Sequence, residues 1–136
     1  MKKNWDNFLS EKLNELVNSV SMPFLNAKPS AFPELPGVYL ISSFEDGTEI
    51  PFYVGRSKNL QQRLYNNHLM GPLSNARLKK YLIDAEVVKD IDEAKVFIKN
   101  SCSARWVIEE DFRVRGALEG FFTAMLFPRY GISEEH

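Results

Sequence analysis

Between Tyr53 and Tyr81 every charged side chain is a cation: Arg56, Lys58, Arg63, Arg77, Lys79 and Lys80 follow one another without an Asp or Glu. Such a block is ordinarily a solvated helix surface. It also suits a basic substrate face, because neutralising phosphates dominates affinity for nucleic acid. The acids lie elsewhere, at Asp84, Glu86, Asp90, Asp92 and Glu93 and again at Glu109, Glu110 and Asp111, and the formal net charge is only -1. Distribution therefore matters more than total charge. Other residues with chemical potential are Tyr39, Tyr53, His68 and Glu119. Taken singly, each is ordinary: a strand tyrosine is usually half-buried with its hydroxyl at the surface, and a helix glutamate is usually solvated. With two histidines, His68 and His136, and one cysteine, Cys102, neither a zinc site nor a Cys-His nucleophile is expected. No glycine-rich loop of phosphate-binding spacing occurs.

The elements around these residues can be read from periodicity. Gly37 to Ser43 is β-rich, Asp46-Gly47 is a turn signal, and Ile50 to Val54 resumes β character, which makes a hairpin. Folding about Asp46 sets Tyr39 opposite Tyr53 or its neighbour. Leu60, Leu64 and Leu69 mark a helix from about Asn59 to Leu69, stopped by Gly71-Pro72. Ser74 is placed to cap the next helix, to about Leu82, with Leu78 and Leu82 inward and Arg77, Lys79 and Lys80 largely outward.

Upstream, Trp5, Phe8, Leu9, Leu13, Leu16, Val17 and Val20 recur at helical spacing from Asn4 to Val20. Pro23, Pro29, Pro33 and Pro36 then make an irregular connector, which Phe24, Leu25 and Phe32 tack to the domain. Downstream, Asp90 to Glu93 is a capping box for a helix to about Asn100, and Ser103 to Glu109 reads as a third strand. Asp111 caps a last helix with an apolar face of Ala117, Leu118, Phe121, Phe122, Met125 and Leu126, ended by Pro128. The pattern predicts an α+β fold: a small three-stranded antiparallel sheet flanked by helices, with an extra N-terminal helix. Residues 1–35 are expected to form that helix and the connector, 36–132 the main domain, and 133–136 a tail. With 136 residues, 44% of them hydrophobic, the chain can build a core without disulfides or structural metal. The single cysteine, the mixed charged and apolar opening from Met1 to Ser10 and the lack of a long apolar run point to a soluble cytoplasmic protein with no membrane span.

The joint pattern is more specific than any member of it. Gly37-x-Tyr39, a short turn, Tyr53-x-Gly55, Arg63 ten residues after Tyr53, Glu119 in a late helix and then Pro128-x-Tyr130 resemble the GIY-YIG nuclease family. The resemblance runs from about Pro36 to Ile132. It implies a metal-dependent endonuclease that hydrolyses phosphodiester bonds, in DNA in preference to RNA, nicking one strand per active site. By the same resemblance, Tyr53 is a general base or proton relay whose pKa is depressed near a cation and metal-bound water, and Tyr39 positions the water or phosphate. Arg63 clamps the phosphate with a planar fork that Lys lacks. Glu119 holds one divalent ion, Mg2+ or Mn2+. Arg56 falls where some members carry a Lys that lowers the tyrosine pKa. Lys58, Arg77, Lys79 and Lys80 are the expected nucleic-acid contacts, and the N-terminal helix is a candidate site for a protein partner.

Two positions depart from the family pattern. The terminal Asn is replaced by Gly131. The Tyr or His four residues after the helix Arg is Asn67 here, with His68 one position later. One residue rotates a helical side chain by about 100°, so His68 joins the site only if the helix end is distorted; otherwise it is a surface histidine near the helix C-terminus. The alternative function is therefore a GIY-YIG scaffold that binds nucleic acid without turnover.

Overall fold

Asp46 and Gly47 both take positive φ, 51° and 79°, the two-residue turn whose twist suits a hairpin. The strands it joins are β2 (Gly37–Glu45) and β3 (Thr48–Ser57) in a computed structural model that describes residues 3–71 and 77–132. Before them come α1 (Lys3–Asn18), a short strand β1 (Met22–Pro23) and a single 3-10 turn at Pro29–Ala31. After them come a π-helix (Gln62–Leu69), α2 (Arg77–Asp84), α3 (Ile91–Ser101), β4 (Cys102–Ile108) and α4 (Phe112–Leu126). The expected cap at Ser74 and the tail at 133–136 lie outside the described residues.

The hairpin register differs from a simple fold about Asp46. Tyr39 pairs with Gly55, and Ile41 pairs with Tyr53, because the register shifts after Ile41 so that Ser42 meets Pro51. The bulge accommodates Pro51, which has no N–H to give the ladder.

Among the described residues the sheet is antiparallel and four-stranded, in the order β1-β4-β2-β3, where the sequence predicts three strands. The extra strand comes from the proline-rich connector: Met22 pairs with Ala104 and Pro23 with Ser103. Proline is tolerated there because β1 lies at the sheet edge. Phe24 and Phe32 anchor the connector, both buried.

Insertion of β4 beside β2 makes β2 the central strand, buried from Gly37 to Ser43. Its side chains alternate between two cores. Val38 and Leu40 join Val54, Val107, Leu16 of α1 and Leu118 and Phe122 of α4. Tyr39 and Ile41 face the other way, towards Leu60, Leu64, Leu78, Leu82 and Ile98. Each such buried aliphatic or aromatic side chain stabilises the fold by about 2 kcal/mol. The helices thus form a layer on each face of the sheet. Of the expected α1 stripe, Phe8, Leu9, Leu13 and Leu16 pack inward, whereas Trp5, Val17 and Val20 are exposed.

Asp90 accepts a hydrogen bond from the Glu93 N–H, and Glu93 accepts from the Lys89 N–H, so the capping box closes one residue further out than its simplest form. Asp111 accepts from the N–H groups of Arg113 and Val114. The outer edge of β3 is partly covered: the N–H groups of Arg129 and Tyr130 donate to the Pro51 and Phe52 carbonyls, each at 3.0 Å. No helix among the described residues is long and apolar enough to cross a membrane.

Candidate active site on the edge strand

The helix after the hairpin is not α-helical. Its i→i+5 bonding, seen at Met70 N–H to the Tyr65 carbonyl (3.0 Å), widens the turn, so the fifth residue rather than the fourth stacks over the starting position. This is the distortion that His68 requires. It carries the imidazole inward on the helix that bears Arg63, and His68 is buried rather than at the surface. Lys79 secures the end of that helix. The sequence places Lys79 on an outward basic face, but it is fully buried, and its Nζ donates to the Asn67 carbonyl at 3.2 Å and to the Gly71 carbonyl. Carbonyls at a helix end need such donors. Burial, followed by the Lys95 charge, lowers the Lys79 pKa to about 8.

Below the surface, the Tyr39 hydroxyl and His68 Nε2 are 2.6 Å apart. Burial, then the charges of Arg63 and Lys79, push the His68 pKa down to about 3, so the imidazole is neutral. Among the described residues its Nδ1 has no hydrogen-bond partner. Burial, reinforced by Tyr53, holds the Tyr39 pKa well above its ordinary value, against a lowering by Arg63. Tyr39, to which the resemblance gives the positioning of water or phosphate, has 1% of its surface exposed, and its hydroxyl meets His68. Gly55 leaves room for that ring, since a Cβ there would run into the Tyr39 hydroxyl.

Tyr53 lies above this pair, its ring centroid 5.4 Å from His68 and 6.4 Å from Tyr39. It shares a concave pocket of about 260 Å³ with Glu119, Arg77, Tyr81, Tyr130 and Gly131. The protein's own groups raise the Tyr53 pKa, burial first and then Tyr81 and Glu119, with Arg77 and Arg63 lowering it only in part. Arg56 faces Glu119 instead, Nη1 to Oε1 at 3.7 Å. A half-exposed pair at that distance contributes about 0–1 kcal/mol, so its value is in orientation.

Burial also raises the Glu119 pKa, with Arg56 and then Arg63 opposing. A partly desolvated carboxylate so weakly compensated suits a hard divalent cation. Among the described residues no three His, Cys, Asp or Glu side chains cluster as a metal cage. An ion here would thus have Glu119 as its protein ligand, with water and phosphate oxygens completing the shell, an arrangement natural to Mg2+.

Arg56, Lys58 and Arg63 line a second pocket beside the first, while Arg77 belongs to the Tyr53 pocket. Lys80 is exposed on α2. Among the residues of these pockets that escaped the sequence reading are Tyr81 and Arg115. Tyr81, whose ring centroid is 6.3 Å from Tyr53, resembles any amphipathic-helix aromatic. Arg115 is buried at the start of α4, where its neighbours in sequence give no sign of a pocket. Gly131 has a φ of +99°, and a Cβ there would sit 3.5 Å from the Tyr53 ring, so this position borders the tyrosine directly.

No protein-family model matches the chain, and no curated protein is similar to it. Among solved structures, the chain is similar to the GIY-YIG N-terminal endonuclease domain of UvrC from Thermotoga maritima. A point mutant of that domain bound to its catalytic divalent cation is 20% identical, covering 97% of this chain and 99% of that chain with a TM-score of 0.45. Its magnesium-bound form is 19% identical, covering 97% of this chain and 100% of that chain with a TM-score of 0.41. At that level of similarity, the chemistry has to come from this chain's own side chains.

Proposed function

We propose that the protein is a metal-dependent endonuclease that hydrolyses phosphodiester bonds in DNA and nicks one strand per active site. The observation that carries this reading is the meeting of Tyr53, Glu119 and Arg77 in one pocket, with Arg56 and Arg63 in the pocket beside it. Hydrolysis of a phosphodiester requires a nucleophilic water, cationic stabilisation of the non-bridging oxygens and relief of charge on the departing alkoxide. Glu119 would hold the divalent ion, which when bound would supply positive charge to the phosphate and lower the pKa of water.

Arg63 is the residue that clamps the phosphate, two oxygens to one guanidinium. Tyr53 handles the proton as general base or relay. Because its pKa is raised, the ionised form is a minority at neutral pH and grows as pH rises. Arg56 orients Glu119. Tyr39 and His68 act through Tyr53, as positioning residues: the neutral imidazole is held by the Tyr39 hydroxyl and packs edge-on to the Tyr53 ring. Lys58, Arg77 and Lys80 are the outer contacts for a nucleic-acid backbone; Lys79 serves the π-helix instead.

Nicking of supercoiled plasmid in Mg2+ or Mn2+, compared between the wild type and Glu119→Ala, tests this function. Metal-dependent nicks that vanish in the variant support it. The same background in both proteins would overturn it. That second result would favour a scaffold that binds nucleic acid without turnover, the reading that Gly131 supports by leaving the pocket without the family's amide side chain.

A further inference from the structure

Arg56, which pairs with Glu119 of the Tyr53 pocket, also lines a cavity of about 440 Å³ whose wall carries Lys58, Arg63 and Arg115 as well, with no acidic residue in the lining among the described residues. Two features are unexplained by folding alone. Arg115 is only 7% exposed, and its Nη1 donates to the Glu109 and Glu110 carbonyls at 3.1 and 2.8 Å. Among the described residues no carboxylate lies within ion-pair distance of it. A buried cation satisfied only by neutral carbonyls is costly unless an anion arrives. The carbonyls instead fix the guanidinium in place, which orders it before a ligand binds. The second feature is Phe112, the first residue of α4, which lines the same cavity and yet is 71% exposed. It buries little against its own chain and presents a ring beside four cations.

Cations along a groove together with an accessible aromatic ring are the two components by which proteins hold a single nucleic-acid strand, the cations on phosphate and the ring on a base. In a continuous duplex both faces of each base are already stacked, so an aromatic ring at the rim gains nothing from it. We propose that this cavity is a subsite for an unpaired nucleotide next to the cut, its phosphate held by Arg115 and Lys58 and its base stacked on Phe112, beside the scissile phosphate at Arg63. This rests on the nuclease reading of the neighbouring pocket and adds a substrate class: DNA with an unpaired stretch at the scissile position, as in a tail, flap or gap, in preference to uninterrupted duplex. Gln62 and Asn59, in the same wall, offer amide groups to the sugar and base edges without demanding one sequence.

Binding without turnover separates this proposal from the nuclease reading. Fluorescence anisotropy in EDTA would compare a labelled blunt DNA duplex with the same duplex bearing a single-stranded tail. The wild type is expected to bind the tailed form about tenfold more tightly, Phe112→Ala to lose that preference, and Phe112→Tyr to keep it. Lys58→Ala, at an exposed residue, should weaken both forms and reduce the salt dependence by about one counterion. Equal binding of blunt and tailed DNA by the wild type, or an undiminished preference in Phe112→Ala, would overturn the subsite. Glu119→Ala retains the preference if the subsite is correct, whether or not plasmid nicking depends on Glu119.

Discussion

The Tyr39 hydroxyl sits 2.6 Å from His68 Nε2, a buried contact between a central strand and a π-helix, directly beneath the edge of the tyrosine that faces the pocket. Removing one partner strands the other. Tyr39→Phe leaves the imidazole nitrogen without its hydrogen bond, at a cost of about 1–3 kcal/mol. Urea unfolding should show a lower midpoint with an unchanged slope, together with slower nicking. An unaltered midpoint would mean that the contact contributes nothing to stability.

His68 also makes stability depend on pH. Its pKa falls from 6.5 to about 3 on folding, so below 6.5 the unfolded chain takes up a proton that the folded chain refuses. The stabilisation is complete above about pH 6.5 and is lost progressively as pH falls towards 3. From pH 7 to pH 5, this loss amounts to about 2 kcal/mol. His68→Asn should flatten that part of the curve relative to the wild type; a retained slope would assign it to the carboxylates.

Lys79 is expected to act on the π-helix end rather than on substrate. In Lys79→Met the Asn67 and Gly71 carbonyls lose their donor. Amide exchange at Met70 and Gly71 should then accelerate by about tenfold, while the β2 amides stay protected. Reduced DNA affinity with normal exchange would point instead to a direct contact.

Rate should rise with pH if Tyr53 is the base, because its pKa is raised and the ionised form is what accepts the proton. At saturating metal, kcat is expected to increase close to tenfold per pH unit from about pH 6 to 9. A flat profile over this range, with product release shown not to limit, would remove Tyr53 from that role.

Metal affinity should rise with pH as well. The Glu119 carboxyl is held above its ordinary pKa by burial, and protons compete with the ion for it. Glu119→Gln should abolish that pH dependence and reduce metal-supported nicking about a hundredfold or more, the loss of several kcal/mol of charge stabilisation. Isothermal titration with Mn2+ across pH checks the first part independently of catalysis.

Much of the fold was legible because it depends on local signals. The Asp46-Gly47 turn, the Asp90 and Asp111 caps and most of the apolar stripes of α1 and α4 each arise from residues within a few positions of one another, where conformational preference and hydrophobic period act directly, although Ala117 and Met125 of the expected α4 face are exposed. The order Gly37, Tyr39, Tyr53, Gly55, Arg63 and Glu119 was likewise visible in the chain, and Tyr53 and Glu119 do share a pocket.

Tertiary structure decided what depends on distant partners. The fourth strand exists because β4 offers an edge to Met22 and Pro23, which their own sequence does not announce. Whether Lys79 faces water or carbonyls depends on where the π-helix ends. Burial, with Tyr81 and Glu119 beside the ring, set the direction of the Tyr53 pKa against the nearby arginines. The Tyr39–His68 contact needed both a bulged hairpin and a widened helical turn. Sequence by itself determined which groups were available and roughly on which elements; their protonation, depth and partners followed only from packing, because solvent exclusion and hydrogen bonding are properties of the assembled interior.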